Sequence, residues 1–369
     1  MTAPPSGRAA ERAEAGRLFA AFVAMGAVPV DADILLPADT LLDLYGEDIR
    51  ARAYVTQDPG QGEMMLRPDF TVPVVQAHMG HGAEPARYCY MGPVFRRQDQ
   101  PDRRAREYLQ VGFELFDRTA PEVADAEVFA LFSRLLDGLP VRPVTGDIGI
   151  LMAAVRGLAT TDRRKAALLR HVWRPQRFRR LLDRFAGRAA PPPARAALLD
   201  RLRSGAAADL IAQAGPVIGA RAEAEIIARA DALLQDAGTP ALAAPEAAML
   251  YDLLSLEAPA EAALAHLRGI TPLLPAIAPA VDRFAQRLAA LSARGIDAAT
   301  LPFEASHGRT AMEYYDGFVF SFLGPEAGLP PVASGGRYDA LTAVLGQGRS
   351  IPAVGGVIRP ALTAGMRAC

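Results

Sequence analysis

The order of local patterns predicts an α+β fold, with an antiparallel sheet flanked by helices and interrupted by a helical insertion. Three observations predict it. Strand-like runs occur on both sides of the chain, at about 86–97 and 108–117 and again at 316–323 and 353–358. Between them, residues from about 150 to 297 turn rich in Ala, Leu and Arg, with few strand signals. Within the second run, Gln110, Gly112 and Glu114 alternate with Leu109, Val111, Phe113 and Leu115, the two-residue period of a strand. The expected organisation is a disordered 1–9, an α+β core made of 10–150 and 298–369, and a helical insertion over 151–297.

Each element has a local reason. Residues 10–26 read as an amphipathic helix with Leu18, Phe22 and Met25 on its apolar side and Gly26 as its stop. Short strands at 51–57 and 63–67 flank the turn residues DPGQG at 58–62. Thr71 to His81 reads as a helix with Pro73 in its first turn, where a missing N–H does no harm. The strand pair at 86–97 and 108–117 follows. Pro121 then opens a helix running to Asp137 and closed by Gly138. Three prolines at 191–193 break the insertion, and DGFVFSFL, SGGRYDALTAVLG and AVGGVI complete the chain. No internal repeat is present.

Composition narrows the class. With 369 residues, 51% hydrophobic and 22% charged, the chain has enough apolar sequence for a large core, read as two domains of a soluble globular protein. A net charge of −1 gives no global bias toward nucleic acid or an anionic membrane. No apolar run suffices to span a bilayer, and the first sixteen residues lack a secretory pattern. Cys89 and Cys369 are too few for a disulfide framework, so a reducing, cytoplasmic location is expected. Lys165 is the only lysine, which rules out a Walker-type GKS/T phosphate loop.

Candidate chemistry concentrates in 64–116. Gln110, Gly112 and Glu114 share one strand face, and a glycine between two polar side chains leaves a polar-walled hole for a small ligand. A carboxylate among apolar neighbours needs a cation or donors, so Glu114 either meets a ligand amino group or closes a structural salt bridge. Arg96, Arg103, Arg104 and Arg106 suit a carboxylate or phosphate; a solvated hairpin tip balanced by Asp99, Asp102 and Glu107 is the other reading. Asp69 and Thr71 stand at a helix start, where they cap the helix, contact a ligand, or do both. His78 and His81 make a poor metal pair, because no cysteine or acidic cluster completes them. The arginines of 163–188 form a solvated helical face, a protein-docking face or a nucleic-acid surface.

The segments LRPDFTVPVV (66–75), YMGPVFRRQDQ…YLQVGFELF (90–116), EYYDGFVF (313–320), SGGRYDAL (334–341) and PAVGGVI (352–358) resemble the catalytic core of the histidyl-tRNA synthetase family, in the same order and with an insertion in the same place. The resemblance implies a class II synthetase fold and a histidine pocket of Asp69, Thr71, Gln110, Glu114, Tyr314, Tyr315 and Tyr338. Asp69 stands where that family has Glu. Tyrosines offer a flat face for an imidazole and a hydroxyl for its nitrogens.

The adenylating half departs from the family. Gln98 replaces the motif 2 Glu after the retained Arg96. Leu362 stands at the motif 3 Arg position, with Ala361 before it and Arg359 three residues early. Arg309 is one residue out of register with the Arg that precedes the tyrosine pair, and Ser321 replaces the Glu that follows VF. The chain ends seven residues after Leu362, without the anticodon-binding domain expected there. The pattern resembles the regulatory paralogues of that family. That resemblance implies a non-catalytic subunit without a cofactor, which binds histidine and relays feedback inhibition to the short-form catalytic subunit of ATP phosphoribosyltransferase, as a homodimer within a hetero-octamer. Arg96 and Arg309 are then phosphate or signalling contacts, and no membrane or tRNA partner is expected. The alternatives are a truncated synthetase-like enzyme and a histidine sensor with another partner.

Overall fold

The structure, a computed structural model, describes residues 6–38, 52–98, 105–216, 218–219, 221–309 and 314–368. The chain divides into two compact units, one of Met1–Ala153 and Leu253–Cys369 and the other of Ala154–Asp252.

The strands of the first unit are, in chain order, β1 (Val28–Pro29), β2 (Leu35–Pro37), β3 (Val55–Asp58), β4 (Gly62–Leu66), β5 (Ala86–Phe95), β6 (Glu107–Phe116), β7 (Arg142–Asp147), β8 (Glu257–Pro259), β9 (Pro302–Glu304), β10 (Phe318–Leu323), β11 (Ala333–Arg337) and β12 (Ala353–Ile358). Nine of them form one sheet in the order β1-β5-β6-β12-β11-β10-β7-β9-β8, and β2-β4-β3 form a second, small one. Every pair from β5 through β7 is antiparallel, as expected; β1 with β5 and β7 with β9 add parallel pairs toward the two edges.

Register separates the two faces of the large sheet. Val111, Phe113 and Leu115 point to a packed side, with Phe22 of helix Ser6–Ala24 5.4 Å from the Phe113 ring. Phe129 and Phe132 of helix Pro121–Leu135 meet the Phe320 ring at 5.6 and 5.5 Å. Burying each such ring stabilises the fold by about 1.5–3 kcal/mol. The opposite face carries Gln110, Gly112 and Glu114, with Val357, Ser334 and Ser321 following Gly112 across β12, β11 and β10 by pairing.

A buried charge network fastens the packed side. Arg287 donates from Nε to Asp125 Oδ2 and from Nη1 to Asp147 Oδ2, each at 2.8 Å. Arg337 donates to Asp125 Oδ1 at 2.7 Å and to Asp339 Oδ1 at 3.0 Å. Five elements are tied together: helices Pro121–Leu135, Ala278–Ser292 and Asp339–Leu345 and the ends of β7 and β11.

Three boundaries differ from the sequence expectation. Residues 6–9, expected to be disordered, are helical, since Arg8, Ala9 and Ala10 continue a helix-forming run. Met25, expected on the apolar side, is 38% exposed, because the helix ends at Ala24 and Gly26 turns the chain at φ +81°. Residues 253–297, expected in the insertion, lie in the first unit. There β8 pairs with β9, and helix Ala278–Ser292 brings Arg287 to Asp125 and Phe284 to within 4.7 Å of Phe303.

The second unit contains helices Asp162–Arg170, Pro175–Phe185, Pro193–Ser204, Ala207–Ala214 and Glu223–Gly238. Thr161 caps the first by accepting from the Arg164 amide. Leu168, Phe178, Leu182 and Phe185 make its buried centre. No helix among the described residues of the chain is long and apolar enough to cross a membrane.

Candidate functional site

The polar face of the large sheet opens into a cleft of about 650 Å³. Its floor comes from β6 and β12, and one wall is made by Tyr314, Tyr315 and Tyr338. Thr71, the first residue of helix Thr71–His81, and Asp69 close it from the side. Asp69 Oδ1 accepts from the Thr71 amide at 3.0 Å, so Asp69 satisfies one of the unpaired N–H groups of the first turn while also lining the cleft.

Glu114 is the centre of the arrangement. It is 1% exposed and accepts from three hydroxyls: Tyr338 at 2.6 Å on Oε2, and Tyr90 at 3.0 Å and Thr71 at 3.1 Å on Oε1. Burial pushes its carboxyl up to about 7; the three hydroxyls pull it down, and the nearby Asp69 charge pushes it up again. Two carboxylates thus face one cleft, an arrangement that favours a cation between them. Gln110, also 1% exposed, has a buried Oε1 that accepts no hydrogen bond among the described residues, and the side chain lines the same space. The site offers carboxylate and amide acceptors beside flat aromatic faces, a set suited to an ammonium group attached to a small ring.

The glycine of the Gln110–Gly112–Glu114 face plays a different part from the expected hole. Tyr90 lies opposite Gly112 in the β5–β6 register, and a Cβ on Gly112 would overlap the Tyr90 ring. Gly112 makes room for Tyr90, which lies 4.4 Å from the Phe70 ring in a stacked pair and delivers its hydroxyl to Glu114. Gly355, opposite Glu114 in the β6–β12 register, has no room for a Cβ beside the Glu114 carboxylate.

A family model described as histidyl-tRNA synthetase matches residues 3–235 and 226–360. The ATP phosphoribosyltransferase regulatory subunit of Allorhizobium ampelinum is 32% identical over 356 residues, spanning 92% of this chain and 94% of that protein. The chain belongs to this family of histidyl-tRNA synthetase-like regulatory subunits. Among solved structures, an ATP phosphoribosyltransferase regulatory subunit/histidyl-tRNA synthetase from Bacillus halodurans shares the fold with a TM-score of 0.69, at 21% identity over 99% of this chain and 81% of its own. A histidyl-tRNA synthetase from a Nostoc species shares it with a TM-score of 0.64, at 15% identity over all of this chain and 74% of its own.

Within this regulatory-subunit family member, Asp69, Thr71, Gln110, Glu114, Tyr314, Tyr315 and Tyr338 all line the one cleft. Tyr314 meets Tyr315 edge-on at 4.9 Å and donates to Thr71 Oγ1 at 3.3 Å. The hydroxyl of Tyr338 is committed to Glu114, so Tyr338 presents its ring rather than a donor. Arg96 also lines the cleft; its Nε donates to the Pro68 carbonyl at 2.8 Å, and Nη2 stands 3.8 Å from Asp69 Oδ2. Arg309 is buried and lies outside the lining residues, whereas Arg359 lines the cleft, held by a 2.6 Å bond to the Pro331 carbonyl. Arg103, Arg104, Asp99 and Asp102 lie outside the described residues. His78 packs into the core, stacked 3.9 Å from the Phe116 ring and bonded to the Tyr88 hydroxyl at 3.0 Å.

Sequence reasoning missed three contributors. Tyr90 was legible in principle, because hairpin pairing sets it opposite Gly112. Arg52 enters from a segment remote in sequence. His307 shares a 3.0 Å hydrogen bond with Ser321 at the far end of the cleft, where burial and Arg142 bring its ring down to about 4 and keep it neutral.

Proposed function

We propose that the cleft binds free histidine and that the chain is a non-catalytic regulatory subunit of short-form ATP phosphoribosyltransferase, acting in the cytoplasm as a homodimer within a hetero-octamer. The observation that carries this reading is Glu114: a buried carboxylate, facing Asp69 in a tyrosine-walled cleft, favours a cation of α-amino type. In this reading the amino group of histidine lies between Asp69 and Glu114, and its imidazole lies against Tyr314, Tyr315 and Tyr338. The names of the family's members support the partner, a catalytic ATP phosphoribosyltransferase chain.

The side chains around the remainder of the cleft support a role without adenylation. Ala361 and Leu362 line it where the synthetase resemblance requires Glu and Arg, Gln98 lines it where that resemblance requires Glu, and Arg309 does not reach it. An oxyanion-stabilising contact of this kind contributes about 2.7–4 kcal/mol to a transition state. Feedback requires that histidine bind one quaternary state better than the other, since equal affinity shifts nothing. Arg96 gives the pocket an outlet: its side chain stands by Asp69, and its amide donates to the Arg106 carbonyl at 2.8 Å.

Calorimetric titration of the purified chain with histidine tests the reading. The expected result is one site per chain, lost in Glu114→Ala. Absent binding, or binding indifferent to that substitution, overturns it. Retention of Arg96 in the cleft favours one second reading, an adenylating enzyme, and histidine-dependent exchange of pyrophosphate into ATP is the result that supports it.

A further inference from the structure

We propose that Arg164, Arg184 and Arg195, on the helical unit, form a binding site for a phosphoryl group. Arg164 and Arg195 converge on one carboxylate, and Arg164 and Arg184 on one ring. Arg164 Nε donates to Asp236 Oδ1 at 2.7 Å, and Arg195 Nη2 donates to Asp236 Oδ2 at 2.6 Å. Arg164 and Arg184 both lie against the Phe185 ring, with guanidinium carbons 4.9 and 5.0 Å from its centroid. Three positive charges therefore share one negative charge.

Arg184 is the member that lacks a counter-charge. Its Nε is buried without a hydrogen-bond partner, and among the described residues no carboxylate lies within ion-pair distance of it. Burial and the like charges of Arg195 and Arg164 push its guanidinium below its ordinary range, with Asp236 only partly offsetting them. A buried donor left unpaired is destabilising, and so is a like charge beside it. The surroundings add to the excess. Arg177, Arg180 and Arg184 recur at spacings of three and four on helix Pro175–Phe185, so they share a face. The whole unit carries sixteen basic and ten acidic side chains, a net +6 in a chain of net −1.

The excess of two positive charges in the cluster matches a phosphate dianion, which carries about −1.5 to −2 at neutral pH and offers three acceptor oxygens. Guanidinium forks fit those oxygens in pairs. Arg195 is partly exposed, with 23% of its side chain accessible, so the cluster is open on that side.

The test uses the full chain and inorganic pyrophosphate, followed by thermal unfolding and by titration at constant ionic strength. Saturable binding and a rise in Tm beyond that given by chloride are expected. Arg184→Gln and Arg195→Gln should each weaken binding about tenfold or more, while Arg229→Gln, elsewhere on the unit, should leave it unchanged. Arg184→Gln removes an unpaired buried donor and a like charge, so this variant should fold at least as stably as the parent. A Tm response no larger than that of chloride, or binding that survives both substitutions, overturns the proposal. A second arm adds transfer RNA. Displacement of pyrophosphate by RNA, with a steep loss at higher salt, assigns the phosphoryl group to nucleic acid. Pyrophosphate binding that RNA does not displace assigns it to a free metabolite. Histidine titration of the same variants should be unaltered, which keeps this test separate from that of the cleft.

Discussion

Glu114 and Gly355 face each other across adjacent strands so closely that a methyl group on residue 355 would overlap the carboxylate. Gly355→Ala must therefore displace Glu114 from its hydroxyl cage or shift β12. Histidine affinity should fall at least about tenfold, equal to the loss of one charge-assisted hydrogen bond. Calorimetry measures the affinity, and circular dichroism checks that the fold is kept.

The raised carboxyl of Glu114 sets a pH dependence. Its folded value is about 7 against an ordinary 4.5, so the folded state holds the proton more tightly than the unfolded chain does. The sign follows: this group favours the folded state fully below pH about 4.5 and loses that contribution as pH rises through about 7, a change of about 3 kcal/mol. Glu114→Gln should flatten stability across that window, as read by urea midpoints at pH 5 and pH 8. A cationic ligand reverses the preference and favours the ionised carboxylate. Histidine binding near pH 6.5 should then release a proton, seen as a binding enthalpy that varies with the ionisation heat of the buffer.

Tyr90 and Tyr338 donate to different oxygens of the same carboxylate. Tyr90→Phe and Tyr338→Phe should each raise the Glu114 carboxyl further and weaken histidine binding at neutral pH by about 1.5–3 kcal/mol. The two losses should not add, because both act through one group. A double-mutant cycle on the dissociation constants reads the coupling.

Asp125 accepts from two buried arginines, Arg287 and Arg337. Asp125→Ala removes the carboxylate that both guanidinium groups share, leaving Arg287 with Asp147 alone and Arg337 with Asp339 alone, and should destabilise the first unit by about 3 kcal/mol, read from urea unfolding. Arg337 is followed directly by Tyr338, so histidine affinity should fall in the same variant even where it remains folded.

Much of this site was legible because strand alternation is rigid. Once Gln110 and Glu114 are on a strand, they must share a face, and the structure puts both at the cleft. The helix over Thr71–His81 was equally plain, since Pro73 fits only its first turn. What stayed hidden depends on partners distant in sequence. Nothing local shows that Glu114 faces a glycine 241 residues later, or that Arg359 rather than Arg309 enters the cleft. Residues 253–297 look like the helical block before them; only pairing with β9 and the Arg287–Asp125 contact assign them to the first unit. The buried network escaped for the same reason: Asp125 and Arg287 read alone as ordinary helix-surface charges.

The four residues that meet at Glu114 come from positions 71, 90, 114 and 338, with the whole helical unit threaded between the third and the fourth. During synthesis the hairpin that carries Glu114 emerges long before Tyr338 does. Until then its carboxylate lacks one of its three hydroxyls and β6 lacks its β12 neighbour. The pocket is thus incomplete until Tyr338 and β12 have been made, and a nascent chain without them lacks part of its wall and floor. If the cleft binds histidine as proposed, its occupancy would report a finished core as well as the presence of that amino acid.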